Sequence, residues 1–252
     1  CIKAREGHKI ISMDLTTAEV YVAAVLAKDV GLQQVFKSGG NFHSTIAKQV
    51  FNLPCDVADV DKFYGDKRQQ AKAVTFGIMY GAGPAKISWQ VTKDSGKEFS
   101  MQEAQRVIGN YFQSFPNLRK WLNDCEAQIK TNAFIYSVFG RKRRLPNAKS
   151  KDKGIASHEV RSGINFLVQS VASDINLLGA IDMQNYINST GMKSKIFGLV
   201  HDSILAEVPE DEVEIYCSNL KSFVQKDRGV SIPSCPVGCD FEVGDDYSFG
   251  KW

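Results

Sequence analysis

Two aspartates stand where carboxylates could do chemistry. Asp14 closes a short β-type run, residues 9–13 (KIISM), and Asp202 follows His201 between two further β-rich runs, 193–200 and 203–208. A carboxylate at the end of a buried strand is costly unless it is paired or metal-bound. Two such groups converging on one point would hold two Mg2+ ions, which prefer carboxylate and phosphate oxygens. Two ions clamp the attacking and leaving oxygens of a phosphoryl transfer. The alternative is that each aspartate simply caps a turn or a helix, and spacing alone leaves both readings open.

A second set is Arg68, Lys72, Phe76 and Tyr80. Their i, i+4, i+8, i+12 spacing puts them on one slowly turning stripe of a helix, cationic in its first turns and aromatic in its last. A nucleoside triphosphate has the same polarity, with phosphates for the cations and a ring to stack on the aromatics. The stripe also reads as an ordinary amphipathic helix with Phe and Tyr in the core and solvated Arg and Lys. Gly81-Ala82-Gly83-Pro84-Ala85-Lys86 is not a phosphate loop, because it follows a helix and lacks the Gly-Lys-Ser/Thr ending. His201 beside Asp202 makes no acid–base pair, since adjacent residues of a strand end point to opposite faces.

These groups need elements to position them. Thr16-Thr17-Ala18-Glu19 has the form of a capping box and opens an apolar helix directly after Asp14, which places Asp14 at a strand–helix junction. Residues 31–64 read as short helices broken by Gly39-Gly40 and Pro54. Asp66-Lys67-Arg68-Gln69 is a second capping-box pattern, starting a helix that runs through Tyr80 and stops at Gly81. Helices follow over 100–132 with a break at Pro116, then a strand over 133–139, a basic loop, and a long helix over 157–189. The runs around His201-Asp202 form a hairpin, and a helix near 211–226 and a strand near 237–243 complete the chain. The class is α+β, helix-rich, with a small antiparallel sheet.

Composition excludes several alternatives. The 252 residues carry 43% hydrophobic and 23% charged residues, which is a globular balance and not a disordered one. No run of about 18 apolar residues marks a membrane span, and no membrane partner is expected. The net charge of +3 conceals a basic segment, 139–153, at +6 and an acidic segment, 201–252, at −7. A basic patch points to a polyanion such as nucleic acid, or to a solvated loop. The six cysteines have no paired CxxC spacing, and Cys235 and Cys239 lack a second Cys/His pair to complete a zinc site. Free thiols in a reducing compartment are expected, hence an intracellular protein.

In this order the segments resemble the polymerase core of family A DNA polymerases, the bacterial DNA polymerase I type. Asp14-Leu-Thr-Thr-Ala-Glu19 resembles motif A of that family. The run Arg68 to Gly81, with its R-x3-K-x3-F-x3-YG spacing, resembles motif B, and Val200-His201-Asp202-Ser203 resembles motif C. Three further blocks fit: residues 111–116 (YFQSFP), 140–146 (GRKRRLP) and 161–169 (RSGINFLVQ). The likeness covers nearly the whole chain.

What the resemblance implies is a right-hand polymerase fold lacking the thumb, with palm at 1–38 and 156–252 and a helical fingers subdomain at 39–155. The implied activity is template-directed transfer of a nucleotidyl group from a dNTP to a primer 3′-OH by two metal ions. Asp14 and Asp202 become ligands of two Mg2+ ions, for which Mn2+ can substitute. Glu19 would block a ribose 2′-OH. Arg68 and Lys72 would grip the triphosphate, Lys72 also donating a proton to the leaving pyrophosphate. Phe76 and Tyr80 would contact the incoming nucleotide and the templating position. Arg161, Asn165 and Gln169, spaced i, i+4, i+8, would read the minor groove of primer–template DNA, whose acceptors are common to all base pairs. His201 would lie near the primer terminus, and Arg141 and Arg143 would face DNA phosphates.

Three positions depart from the family pattern. Ser203 stands where a Glu usually follows the motif C Asp, Leu15 replaces an aromatic, and Thr75 replaces an Asn. They suggest a divergent phage or organellar branch. The family's thumb and exonuclease precede motif A, and here 13 residues precede Asp14, after a Cys1 start. The expectation is an N-terminal polymerase segment, removed or carried by a separate chain. The competing readings are a catalytically degenerate DNA-binding partner of a split polymerase, and a relative of single-subunit RNA polymerases.

Overall fold

The structure is a computed structural model that describes residues 2–250; Cys1, Lys251 and Trp252 lie outside the described residues. Along the chain, β1 (His8–Thr16) leads into α1 (Ala18–Leu26), α2 (Val30–Lys37), α3 (Phe42–Phe51), α4 (Val60–Met79), α5 (Pro84–Ser95), α6 (Met101–Ser114) and α7 (Pro116–Asn132). The strands β2 (Phe134–Tyr136) and β3 (Lys142–Arg144) precede α8 (Lys153–Thr190), and β4 (Lys195–Val200), β5 (Ser203–Pro209), α9 (Val213–Val224) and β6 (Gly238–Gly244) follow. The chain is α+β and helix-rich, with an antiparallel sheet as its principal β element. It divides into two compact units: residues up to Ala18 with those from Ser170 onward, and Glu19–Gln169. Residues 19–38 and 156–169 fall in the helical unit.

The first unit is built on the sheet β4-β5-β1-β6. β1 is central, antiparallel to β5 on one side and β6 on the other, and Ile10–Met13 are all buried. A strand buried in this way reads as a continuous apolar run, which explains KIISM. Pairing with β6 carries β1 past Asp14 to Thr16, so Asp14 lies inside the strand and not at a strand–helix junction. The Thr16–Glu19 capping box does not form. Thr16 belongs to β1 and its hydroxyl donates to Asp240 Oδ2 (3.2 Å), while Thr17 adopts a left-handed φ of 51° before α1 begins. The C-terminal half of α8 meets α9 at Gly179, where a Cβ would sit 2.5 Å from Val224 Cγ2 and 3.1 Å from its Cα; only glycine admits that approach. Of the described helices, α8 is long and apolar enough to cross a bilayer by length and composition, but 56% of the window is buried in the protein, as in a core helix.

The second unit is helical. Breaks fall where the sequence places them: Asn41 caps α3, Pro84 opens α5, Ser100 caps α6 by accepting from the Glu103 N–H (3.1 Å), and Pro116 opens α7. Two features were not legible. α4 starts at Val60, six residues before the expected Asp66, and kinks at Tyr64 (φ −136°, ψ 36°). Asp66 caps nothing; its carboxylate pairs with Lys97, which holds it below its usual range. Residues expected as a basic loop form β3, paired with β2. That hairpin is anchored by Ile135 and Leu145 in a cluster with Ile129 of α7 and Val160, Ile164 and Leu167 of α8. Asp29 ties two helices together, accepting from the Leu32 N–H (2.9 Å) in the first turn of α2 and from the Leu118 N–H (3.0 Å) in α7.

Candidate active site

In the first unit the carboxylates gather at one end of the sheet. Asp14 of β1 lies directly opposite Ser203 of β5 and Asp240 of β6, and cross-strand partners share a face. Asp202 precedes Ser203 in the tight β4–β5 turn, where His201 takes a left-handed φ of 55° and both residues are exposed. Both oxygens of the half-buried Asp14 carboxylate have hydroxyl donors: Ser203 Oγ to Oδ1, and Ser12 Oγ to Oδ2 at 3.5 Å. Ser203, which departs from the family's acidic residue, thus fixes the orientation of the neighbouring carboxylate. Among the described residues no group of three or more His, Cys, Asp or Glu side chains is gathered to hold a metal ion. The donors are nonetheless hard oxygens, Asp14 on β1 and Asp202 in the β4–β5 turn. Mg2+ is bound by one or two carboxylates together with waters and substrate phosphates, so Asp14 and Asp202 fit such an ion without a full protein cage.

In the second unit the motif B stripe forms as the spacing requires. Val74, Thr75, Ile78 and Met79 bury one side of α4, leaving Lys72 and Tyr80 exposed and Phe76 half-buried. Arg68 is held at the N-terminus of α3, where its Nε donates to Asn41 Oδ1 (3.3 Å) with Asp61 Oδ1 at 3.6 Å. Lys72, Phe76 and Tyr80 line a cleft of ≈ 820 Å³ between α4 and α5, together with Lys86 and Ile87. Tyr80 OH donates to Glu19 Oε2 (2.6 Å), and Gln169 Nε2 donates to Glu19 Oε1 (3.3 Å). Glu19 is therefore not a capping residue; its carboxylate joins the end of α4 to α8. Gly81, at φ +65°, serves twice: it ends the helix, and its missing Cβ leaves room for Arg161, whose Cγ would be 2.7 Å away. On the α8 stripe, Asn165 Oδ1 is buried without a partner among the described residues, while Gln169 is exposed. Arg143 is exposed and donates to Ser162 Oγ (3.2 Å); Arg141 is exposed just before β3.

His43 joins this site with no signature in the sequence. It sits in the first turn of α3, its ring centroid 5.9 Å from that of Phe76, and its Nδ1 is buried with no hydrogen-bond partner among the described residues. Burial, then the charges of Lys72 and Arg68, lower its pKa to about 4. A neutral imidazole beside two cations can donate or accept at a bound ligand. The sign for stability follows. The unfolded chain takes up this proton near pH 6.5 and the folded one near 4, so this contribution to stability is present above 6.5 and is lost as pH falls from 6.5 toward 4. NMR titration of the His43 ring should show it neutral down to about pH 4. A midpoint near the ordinary histidine value would contradict this arrangement.

The first unit thus carries acidic residues on neighbouring strands of an antiparallel sheet, and the second a cation-then-aromatic stripe on one helix. The chain belongs to DNA polymerase family A, whose sequence model matches residues 1–248. It is 47% identical over 274 residues to the DNA polymerase of Escherichia phage T5, covering 100% of this chain and 32% of that protein. DNA polymerase I of Pseudomonas aeruginosa is 30% identical over 230 residues, 91% of this chain and 24% of its own length. Among solved structures, the POL domain of Pol1 from M. smegmatis, in complex with DNA primer–template and dNTP, matches with a TM-score of 0.86 at 25% identity, over 99% of this chain and 42% of that one. The chain thus spans a quarter to a third of the curated relatives it matches.

Proposed function

We propose that the chain is the palm-and-fingers portion of a DNA-directed DNA polymerase, adding nucleotides from dNTPs to a primer 3′-OH on a DNA template. One observation carries the reading: the complete motif B stripe on α4, with Tyr80 bonded to Glu19. Motif boundaries near 38 and 155 describe its palm and fingers. In the reaction the primer 3′-oxygen bonds to the α-phosphorus while the bond from that phosphorus to the β-phosphate bridging oxygen breaks, releasing pyrophosphate. Asp14 and Asp202 would hold two Mg2+ or Mn2+ ions, which supply activation of the 3′-OH and neutralisation of phosphate charge. Arg68 and Lys72 bind the triphosphate, and Lys72 gives a proton to the departing pyrophosphate. Phe76 packs on the nucleotide and Tyr80 borders the templating position. Arg161, Asn165 and Gln169 contact the minor groove, and His201 lies by the primer terminus. The protein would work in a reducing compartment, where free thiols persist.

Glu19 provides the test of substrate class. With both oxygens engaged, its carboxylate is held in one place, where it excludes a ribose 2′-OH. Glu19→Ala should raise ribonucleotide incorporation relative to deoxynucleotide in single-nucleotide primer extension. Equal use of rNTPs and dNTPs by the unsubstituted protein would favour the RNA polymerase reading instead.

A further inference from the structure

Strand alternation sorts the basic hairpin into two unlike faces. Ile135 turns inward to the α7–α8 cluster, and its cross-strand partner Arg143 shares that face and donates to Ser162. The opposite face carries the cross-strand pairs Phe134–Arg144 and Tyr136–Lys142. There Lys142 Nζ stands 4.0 Å from the Phe134 ring centroid and 5.4 Å from that of Tyr136, and the two rings meet edge to face at 5.6 Å. Tyr136 is 52% exposed, and Val138, two residues on, is 54% exposed. The exposed Tyr136 ring, set against a half-buried Phe134, lies outside the core, which Ile135 and Leu145 already anchor.

Rings interleaved with cations match one polyanion better than another. A single strand offers both base faces and phosphates, and each base stacked on an aromatic ring adds affinity with little regard to sequence. A duplex hides its base faces and responds to the cations alone. Residues 139–153 supply the matching charge at +6. We propose that the outer face of the β2–β3 hairpin is a platform for single-stranded DNA, with Tyr136 as the stacking residue and Lys142 and Arg144 as the phosphate contacts. Its occupant is the unpaired template strand, an assignment that rests on the polymerase reading. Arg143, on the other face, positions the hairpin through its bond to Ser162.

The test is fluorescence anisotropy of the 252-residue chain with labelled oligo(dT) and with blunt duplex of equal length, across a salt series. Tyr136→Ala should weaken oligo(dT) binding about tenfold and leave duplex binding within about twofold, while Tyr136→Trp keeps both. Lys142→Ala and Arg144→Ala should weaken both ligands and lower the salt slope by about one each. If Tyr136→Ala leaves oligo(dT) affinity unchanged, or weakens both ligands alike, the platform is overturned and the hairpin is only a charged surface. Normal duplex binding in that case leaves the polymerase reading intact. If the unsubstituted chain binds no DNA of either kind, the polymerase reading and the platform fall together.

Discussion

Asp14→Ala will reduce nucleotide addition by at least on the order of a thousandfold, the scale on which loss of a charged group stabilising a transferring phosphoryl group costs rate. The expectation follows from position. Asp14 lies in the central strand, flanked by β5 and β6, with a hydroxyl donor on each carboxylate oxygen. Its orientation is thus set by the sheet before any ligand arrives. The isosteric Asp14→Asn separates charge from shape. It retains a hydrogen-bonding side chain of the same size opposite Ser203, so the sheet should melt as before while activity falls as far as in the alanine variant. Single-turnover primer extension, with circular dichroism as the folding control, reads both. Extension by Asp14→Asn at close to the unsubstituted rate would remove the carboxylate from the chemistry.

Asp29→Ala should destabilise the helical unit by about 2–4 kcal/mol, summing a lost helix cap and a second buried N–H left without an acceptor. Asp29 is 1% exposed, and its two oxygens separately satisfy Leu32 N–H and Leu118 N–H, 89 residues apart in sequence for the second bond. Water cannot replace either bond at that depth. Asp29→Asn keeps one acceptor oxygen and should cost roughly half as much. Urea unfolding followed by far-ultraviolet circular dichroism measures the difference in midpoint. An unchanged midpoint for Asp29→Ala would mean that α2 and α7 hold together without it.

The fold was legible wherever the chain carries its own punctuation. Gly39-Gly40, Gly81, Pro84, Ser100 and Pro116 end or open helices for reasons confined to a few residues, and the helices stop there. Misreadings arose where distant partners decide. Thr16 looks like a helix cap because the pattern Thr-x-x-Glu is local, but it pairs with the distant Gly238 of β6, which extends β1 through it. Asp66 looks like a cap for the same reason and is taken by Lys97. The hairpin at 134–144 was half visible: β2 has the residues of a strand, whereas Lys-Arg-Arg reads as a loop until pairing makes it β3.

The candidate site shows the same division. The α4 stripe was visible because one helix carries all four residues at a fixed spacing. Asp14 and Asp202 were visible as carboxylates ending apolar runs. His43, Asn41 and Asp240 were not, since each joins the site through packing or register: His43 by lying against Phe76, Asn41 by accepting from Arg68, and Asp240 by facing Asp14 across β6. Ser203 was visible only as a missing acid. Its bond to Asp14 gives that substitution a physical role, an oriented carboxylate in place of an additional charge.

The most direct measurement is template-directed primer extension by the full chain with Mg2+ and single dNTPs, comparing the unsubstituted protein with Asp202→Ala. The unsubstituted protein should add only the nucleotide complementary to the template, and Asp202→Ala should bind primer–template yet add none. Binding of primer–template by the unsubstituted protein with no nucleotide added, even when an N-terminal polymerase segment is supplied, would contradict the assignment.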